Sequence, residues 1–248
     1  MRRTSLALAL LVAVPAMAAT RLEQAEDLYR RGDLRAAASL ARQAGGAEGL
    51  SLAAKATLVD AVWLASPETE PELLEQAAAD AEAALKLDPN YVDAHLQLAI
   101  ALGQLGDLQD PVSAHLMGYG HEGKLHLDRA LELAPDDPWA HALLGIWHLQ
   151  IVRRAGAELA EQLYGASEAR GVALCHEALA LAPDEPNLGF GCAVSMLEVD
   201  GETYRAAALA LLESIKRRPP EDEAERLVRD EAAEVVERVK AGQPPNLP

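Results

Sequence analysis

The chain has 248 residues, with 22 Lys and Arg against 39 Asp and Glu, which gives a formal net charge of −17 at pH 7. This acidic balance argues against a nucleic-acid-binding protein, because a phosphate backbone is bound by clustered Lys and Arg. Half of the residues are hydrophobic but only 4% are aromatic, a composition that suits close packing of helix on helix.

The first eighteen residues have the pattern of a secretory signal peptide. Arg2 and Arg3 precede an apolar run from Leu6 to Met17, and small residues frame a cleavage site after Ala18. The run covers about a dozen residues, whereas a membrane-spanning helix needs about 20. We therefore expect a mature chain that is periplasmic or secreted and has no membrane span. Loss of two arginines leaves 20 basic and 39 acidic residues, so its net charge is 20 − 39 = −19.

Residues 19–90 are predicted to form helical hairpins. Apolar side chains recur three or four positions apart, and Gly32 and Gly45 stand where helices are expected to end. Another helix is predicted from about Leu50 to Ala65, and its partner ends at Pro89. The β-branched alternation typical of strands is nearly absent from the chain, so the predicted fold class is all-α.

Residues 91–218 are predicted to contain divergent repeats, because three near-identical helix endings delimit them. These endings are Asp88-Pro89-Asn90, Ala134-Pro135-Asp136 and Ala182-Pro183-Asp184. A small residue precedes each proline by five positions: Ala84, Ala130 and Ala178. This periodicity is typical of tetratricopeptide (TPR) repeats, two-helix units that stack into a solenoid because each buries the apolar face of its neighbour.

Two of the predicted hairpins carry long insertions at the same place. Residues 108–123 and residues 153–170 exceed the length of a minimal repeat turn. Insertions in such repeats emerge on one face, often the binding face. After the repeats, residues 219–241 are predicted to form a C-terminal capping helix, and residues 242–248 a disordered tail.

One stretch of the repeats resembles a known family. Residues 123–135 are followed by residues 138–147, which contain Ala140-His141, Leu143-Leu144-Gly145 and Trp147. This resembles the regulator of microtubule dynamics family, whose divergent repeats show a comparable Ala-His, Leu-Leu-Gly and Trp sequence and an insertion in each hairpin. The resemblance implies a helical repeat scaffold used for binding and tethering. It does not extend to microtubules, since the predicted signal peptide directs the chain out of the cytoplasm.

The repeat register predicts an apolar groove on the concave face. First-helix positions three or four apart are expected to line it, and they read Leu96, Ile100, Trp139, Ala142, Ile146, Leu149, Phe190, Val194 and Leu197. An exposed apolar patch of this extent is a liability on a soluble monomer. The sequence leaves three possibilities for what covers the groove: a hydrophobic ligand or amphipathic peptide, the insertions together with the C-terminal helix, or another subunit.

The seven histidines do not form a recognisable metal motif. His121 with His126, and His141 with His148, lack the His-Glu-x-x-His spacing that places two imidazoles around zinc. The register assigns His95, His141 and His148 to inward positions of first helices, where a histidine commonly hydrogen-bonds a backbone carbonyl. No metal and no cofactor are predicted.

The cysteine pattern leaves two alternatives open. Cys175 and Cys192 are the only cysteines, and an even count in an exported chain is compatible with a disulfide. They fall in adjacent predicted helices at positions that usually face each other. Both also fit as buried small apolar residues.

Enzymatic motifs are missing from the sequence. It has no Gly-rich phosphate loop and no Gly-x-Ser-x-Gly elbow. Tyr119, His121, Glu122 and Tyr164, in the two insertions, are candidate loop contacts, which we interpret as side chains that cap the repeat edge. If His121, Glu122 and His148 met within hydrogen-bond reach in a deep pocket, an enzyme would be favoured instead.

The sequence therefore predicts an exported, non-enzymatic TPR-type scaffold that binds a protein or peptide partner through its concave face. Two other interpretations stay open. One is a carrier or accessory subunit that holds a small hydrophobic, lipid-like molecule in the apolar groove. The other is an enzyme that uses the loop with His121 and Glu122.

Overall fold

A computed structural model describes residues 20–245 of the chain. Within this part every regular element is an α-helix. The predicted signal peptide at residues 1–18 and the last three residues of the predicted tail lie outside the described residues.

The helices follow one another with short connections. The first, α1, is described over residues 20–30. The others, in chain order, are α2 (Leu34–Ala44), α3 (Gly46–Trp63), α4 (Glu70–Leu87), α5 (Val92–Asp107), α6 (Pro111–Leu116), α7 (Tyr119–Leu133), α8 (Pro138–Ala155), α9 (Ala157–Tyr164), α10 (Glu168–Leu181), α11 (Pro186–Val199), α12 (Arg205–Arg217) and α13 (Glu223–Lys240).

The long helices form hairpins that stack in chain order. The first hairpin consists of α1 and α2, which share core clusters. The second to fifth hairpins are α3 with α4, α5 with α7, α8 with α10, and α11 with α12, and the second helix of each hairpin also packs on the first helix of the next. This is the arrangement of a TPR-like solenoid, in which each unit is covered by its neighbours. The predicted all-α, helical-hairpin fold is confirmed.

Local side chains explain where several helices begin. Asp137 accepts a hydrogen bond from the N–H of Ala140 at 2.8 Å, and Pro138 occupies the first position of α8. Asp222 likewise accepts from the N–H of Glu225 at 2.9 Å at the start of α13. Such caps satisfy N–H groups that have no partner inside the helix, and proline is tolerated at the first position because its missing N–H is not needed there.

The close approach of α8 and α10 depends on glycine. A Cβ added at Gly145 would lie 2.8 Å from the carbonyl oxygen of Gly171, and a Cβ added at Gly171 would lie 2.9 Å from that of Gly145. Real side chains do not tolerate such distances, so both residues must lack a Cβ for the two backbones to touch. The glycine of the Leu143-Leu144-Gly145 sequence is thus required for the close packing of α8 on α10.

The two insertions are more helical than the sequence suggests. In the first, α6 lies between residues 111 and 116, and α7 begins at Tyr119, four residues before the predicted end of the insertion. Asp110 starts α6, because its side chain accepts from the N–H groups of Val112 and Ser113 at 3.0 and 3.1 Å. In the second, α8 continues to Ala155 and α9 follows.

The C-terminal helix closes one end of the solenoid. Phe190 and Val194 of α11 share a core cluster with Val228 and Val235 of α13, and Trp63 of α3 packs against the same cluster. The ring centroids of Trp63 and Phe190 are 5.9 Å apart. α13 therefore covers the face of α11 that was predicted to line the groove.

The same helix also reaches the first hairpin. Ala224 of α13 shares a core cluster with Tyr29 and Leu34, and a Cβ added at Gly32 would lie 2.6 Å from Cγ of Glu223. The beginning and the end of the described chain are thus in contact.

Ion pairs with buried carboxylates join the alanine-rich hairpins of the N-terminal part. Nε of Arg35 lies 2.8 Å from Asp60, and a guanidinium nitrogen of Arg42 lies 2.7 Å from Asp80. Both carboxylates are buried. Truncating either arginine would leave a buried charge without compensation, which is costly.

Candidate functional site

The structure places most of the predicted groove inside the core. Six of its nine residues are buried: Leu96, Ala142, Leu149, Phe190, Val194 and Leu197. Ile100, Trp139 and Ile146 are partly buried. The predicted groove is corrected accordingly, because neighbouring helices occupy the space into which these side chains point. For Phe190, Val194 and Leu197 the covering is supplied by α12 and α13. This matches the C-terminal-helix part of one covering left open by the sequence, but neither insertion contributes to that cluster.

An open apolar space lies between the third and fourth hairpins. A cavity of about 200 Å³ is lined by α5, α7 and α8, and residues of α6 and α9 border it. Of the predicted groove, Ile100 and Ile146 line this cavity. Leu127, Leu143 and Trp147 contribute further apolar wall. We call it the insertion cavity.

The two insertions meet at the insertion cavity. Nδ1 of His115 in α6 lies 2.6 Å from the hydroxyl of Tyr164 in α9, and the two rings pack edge to face with centroids 5.5 Å apart. Burial raises the pKa of Tyr164. Of the candidate loop contacts, Tyr119 and Tyr164 line the cavity, His121 packs its ring on Tyr164 at 5.3 Å, and Glu122 is exposed. Sequence reasoning missed His115, which has no distinguishing pattern around it.

The charged groups of the cavity wall already pair with each other. Nη1 of Arg154 donates to Oδ1 of Asp107 at 2.5 Å, and Nη2 donates to the carbonyls of Gly106 and Gln109 at 3.1 and 2.8 Å. Trp147 donates its indole N–H to the carbonyl of Gly120 at 2.8 Å. The wall therefore offers neutral surface and no uncompensated charge.

Four glycines line the cavity. Gly103 and Gly106 lie one turn apart on α5, and Gly120 and Gly123 lie one turn apart on α7. Residues three positions apart share a helix face, so each pair presents backbone rather than side chain. The i, i+3 spacing of both pairs is visible in the sequence and is the signal that could have located this site.

Exposed apolar side chains gather on the two insertions beside the cavity. They are Val112, Leu116 and Met117 on and after α6, and Leu159 and Leu163 on α9. The first three are between 53% and 80% exposed, and the two leucines of α9 about half exposed. We call these five residues the insertion face. An apolar patch on a soluble protein marks an interaction site when it is contiguous.

Two of the inward histidines behave as the register predicts. Nε2 of His95 lies 3.0 Å from the carbonyl oxygen of Pro89, and Nε2 of His141 lies 2.8 Å from that of Pro135. Because a carbonyl only accepts, the imidazole N–H donates in both bonds. Each histidine follows its proline by six residues, so the bond ties the first helix of a repeat to the turn before it.

His148 differs from the other two. Its Nδ1 accepts from the backbone N–H of Ser167 at 3.2 Å, so it fixes the start of α10 instead of binding a carbonyl. The ring is 1% exposed, and its Nε2 is buried without a hydrogen-bond partner. Burial, aided by the positive charge of Arg170, lowers the pKa of His148 to about 4. The neutral ring is therefore its state at neutral pH.

The arrangement that would have favoured an enzyme is not found in residues 20–245. No hydrogen bond joins any two of His121, Glu122 and His148 there. His121 packs on Tyr164 instead, and Nδ1 of His148 accepts from the N–H of Ser167. The same residues contain no group of three or more His, Cys, Asp or Glu side chains placed to hold a metal ion.

The two cysteines are joined. Cys175 of α10 and Cys192 of α11 form a disulfide with their Cα atoms 5.7 Å apart. Both residues are fully buried. The bond links the fourth hairpin to the fifth.

Between residues 20 and 245, none of the helices has both the length and the apolar character required to span a bilayer.

Comparison with known proteins matches this architecture. A family model described as regulator of microtubule dynamics protein 1-3 matches residues 22–169, more than half of the chain. Regulator of microtubule dynamics protein 3 from Rattus norvegicus is 40% identical over 72 residues, which are 29% of this chain and 15% of that protein. The protein of the same name from Mus musculus gives the same figures. The match thus spans about one-seventh of the length of these relatives.

A solved structure shares the fold over nearly its whole length. It is a thermophilic TPR protein from Thermus thermophilus, with a TM-score of 0.61 and 21% sequence identity over 87% of this chain and 98% of that one. At this identity the likeness concerns the fold alone.

Proposed function

We propose that this chain, which belongs to the regulator of microtubule dynamics protein 1-3 family, is a non-enzymatic scaffold that binds a partner protein through the insertion face. The observation that carries this proposal is the exposure of five apolar side chains on two insertions that meet at His115 and Tyr164. Preformed helices spare the partner complex the cost of ordering a binding loop.

The insertion face is a better candidate than the concave face. The concave residues Phe190, Val194 and Leu197 are covered by α12 and α13, so a partner would have to displace packed helices to reach them. The insertion face needs no displacement. Its leucines and methionine supply the apolar contact area that dominates the core of a protein interface.

We further propose that the chain is exported and works in the periplasm or outside the cell. The signal-peptide pattern of residues 1–18 supports this, and the disulfide between Cys175 and Cys192 fits an oxidising compartment. The microtubule role in the relatives' names is not part of the proposal, because microtubules lie in the cytoplasm and the match covers 15% of those proteins.

Site-specific photo-crosslinking tests the partner proposal. The photoreactive residue p-benzoylphenylalanine is placed at Leu116, which is 80% exposed at the end of α6, or at Leu87, which is 62% exposed at the end of α4. Both positions are exposed leucines at a helix terminus, so non-specific collisions should label them alike. Irradiation of native cells is expected to give a discrete cross-linked species from position 116 and none from position 87.

A charge placed on the insertion face should remove that species. Leu163→Lys, on the neighbouring helix α9, is expected to abolish the cross-link from position 116 without unfolding the protein, because the residue is half exposed. Equal cross-linking from positions 116 and 87, or a cross-link that survives Leu163→Lys, would contradict binding through the insertion face.

A further inference from the structure

We infer that the insertion cavity is a binding site for a small, neutral, apolar molecule of about the size of a substituted aromatic ring. This site is distinct from the insertion face: α6 and α9 border the cavity through Pro111, Ala114 and Tyr164, and none of the five residues of the insertion face lines it.

The volume of the cavity sets the size of the ligand. Apolar cavities of about 150 Å³ stay dry and bind benzene. The insertion cavity, at about 200 Å³, is somewhat larger. Ile100 of α5 and Ile146 and Trp147 of α8 provide apolar wall from two helices, so a bound ring would contact both hydrocarbon and indole.

The electrostatics of the wall set the charge of the ligand. Asp107 and Arg154 are the ionised residues that line the cavity, and they pair with each other at 2.5 Å. A charged ligand would lose its hydration without gaining a free counter-charge, which is strongly unfavourable. The remaining polar side chains at the wall, Gln104 and Tyr119 among them, are neutral. A neutral ligand with at most a weakly polar group therefore fits best.

The absence of a side chain at Gly103 leaves space beside the insertion cavity unfilled. It lies in the interior of α5, where glycine is less favourable than alanine. A Cβ added there would meet nothing within 4 Å, and its φ lies outside the left-handed region. Of the 17 glycines in the chain, all of which the structure describes, it alone combines these two properties. Neither packing nor backbone geometry demands glycine at this position, but any larger side chain would take up space beside the cavity.

Fluorine NMR with a matched pair of probes tests the inference. α,α,α-Trifluorotoluene is neutral, and 4-(trifluoromethyl)benzoate has the same ring with a negative charge. Purified protein is titrated with each probe, and the 19F shift and linewidth are followed. We expect saturable binding of trifluorotoluene, and binding of the benzoate that is at least about tenfold weaker because its charge finds no partner in the wall.

Two variants locate the bound probe. Gly103→Leu should place a side chain in the open space beside Gly103 and abolish saturable binding. Its circular dichroism spectrum should be unchanged, and its melting temperature should not fall below that of the unmodified protein. Ala207→Leu adds a comparable side chain to an exposed position of α12 and should leave binding unchanged. The inference is overturned if trifluorotoluene does not saturate, if both probes bind equally, or if Gly103→Leu retains binding. The partner proposal does not depend on any of these outcomes.

Discussion

The fifth hairpin and the boundary between the third and fourth hairpins use equivalent first-helix positions in opposite ways. At the fifth hairpin, Val194 of α11 is buried under α13; it follows Pro183 by eleven residues, as Ile100 follows Pro89 and Ile146 follows Pro135. At the third and fourth hairpins, Ile100 and Ile146 line a cavity and are partly exposed. The repeat pattern is the same in both regions. The difference shows that the register of a repeat decides which side chains face inward, whereas a distant helix decides whether that face stays open.

The largest expected effect comes from the closed region. Phe190→Ala should lower the free energy of unfolding by about 3–5 kcal/mol, because a buried aromatic leaves a cavity that packed neighbours cannot fill. Ile100→Ala, at the open cavity, should cost about 1–2 kcal/mol, since its side chain already borders unfilled space. Urea denaturation of both variants measures the two costs. Equal losses would break the comparison between a closed and an open region.

The disulfide is expected to have the next largest effect, because it links the two regions. Cys175 and Cys192 are 17 residues apart, and closing a loop of about this length stabilises a protein by about 3 kcal/mol. Reduction of the intact protein should lower its unfolding free energy by about that amount. The double variant Cys175→Ala, Cys192→Ala provides the control, since its stability should not respond to the reductant. An unmodified protein that is equally indifferent to reduction would show that the bond contributes nothing.

His148, in α8 of the open region, should make the free energy of unfolding depend on pH. The pKa of His148 falls on folding from 6.5 to about 4, so the unfolded chain binds the proton more tightly. The stability that depends on a neutral His148 is fully present above pH 6.5 and is lost as the pH falls toward 4. At pH 5 the free energy of unfolding should be lower by about 2 kcal/mol. Burial also lowers the pKa of His126, and that effect acts in the same direction.

The variant His148→Gln separates the two histidines. It keeps His126 and removes the titration of His148, so its unfolding free energy should fall by about 2 kcal/mol less than that of the unmodified protein between pH 7 and pH 5. Urea denaturation at the two pH values gives both differences. Parallel pH profiles would mean that the buried ring does not titrate as its environment indicates.

Much of the fold follows from local patterns in the sequence. The three proline turns locate the helix ends, and the alanine that precedes each of them marks a packing position. The pattern even distinguishes the histidines: His95 and His141 each follow a proline by six residues and bind its carbonyl, whereas the sixth residue before His148 is Ala142. His148 therefore has no such turn to bind and accepts from Ser167 instead.

The location of the site required the structure. Apolar residues at first-helix positions are equally compatible with an open groove and with burial under another helix, because the local periodicity is the same in both cases. The contact of Trp63 with Phe190 depends on how far the solenoid curves, and that curvature is the sum of small rotations at each hairpin. Four glycines line the cavity, and their i, i+3 spacing is a weaker sequence signal than apolar periodicity because a glycine adds no apolar side chain.

The contact of α13 with the first hairpin changes how this repeat protein should lose its structure. A linear array of repeats has two free ends, and its units can fray from either one in turn. Here Ala224 packs with Tyr29 and Leu34, so the terminal hairpin is held by the opposite end of the chain. Fraying of the first hairpin therefore also breaks its contact with α13, a cost that the end of a linear array does not have.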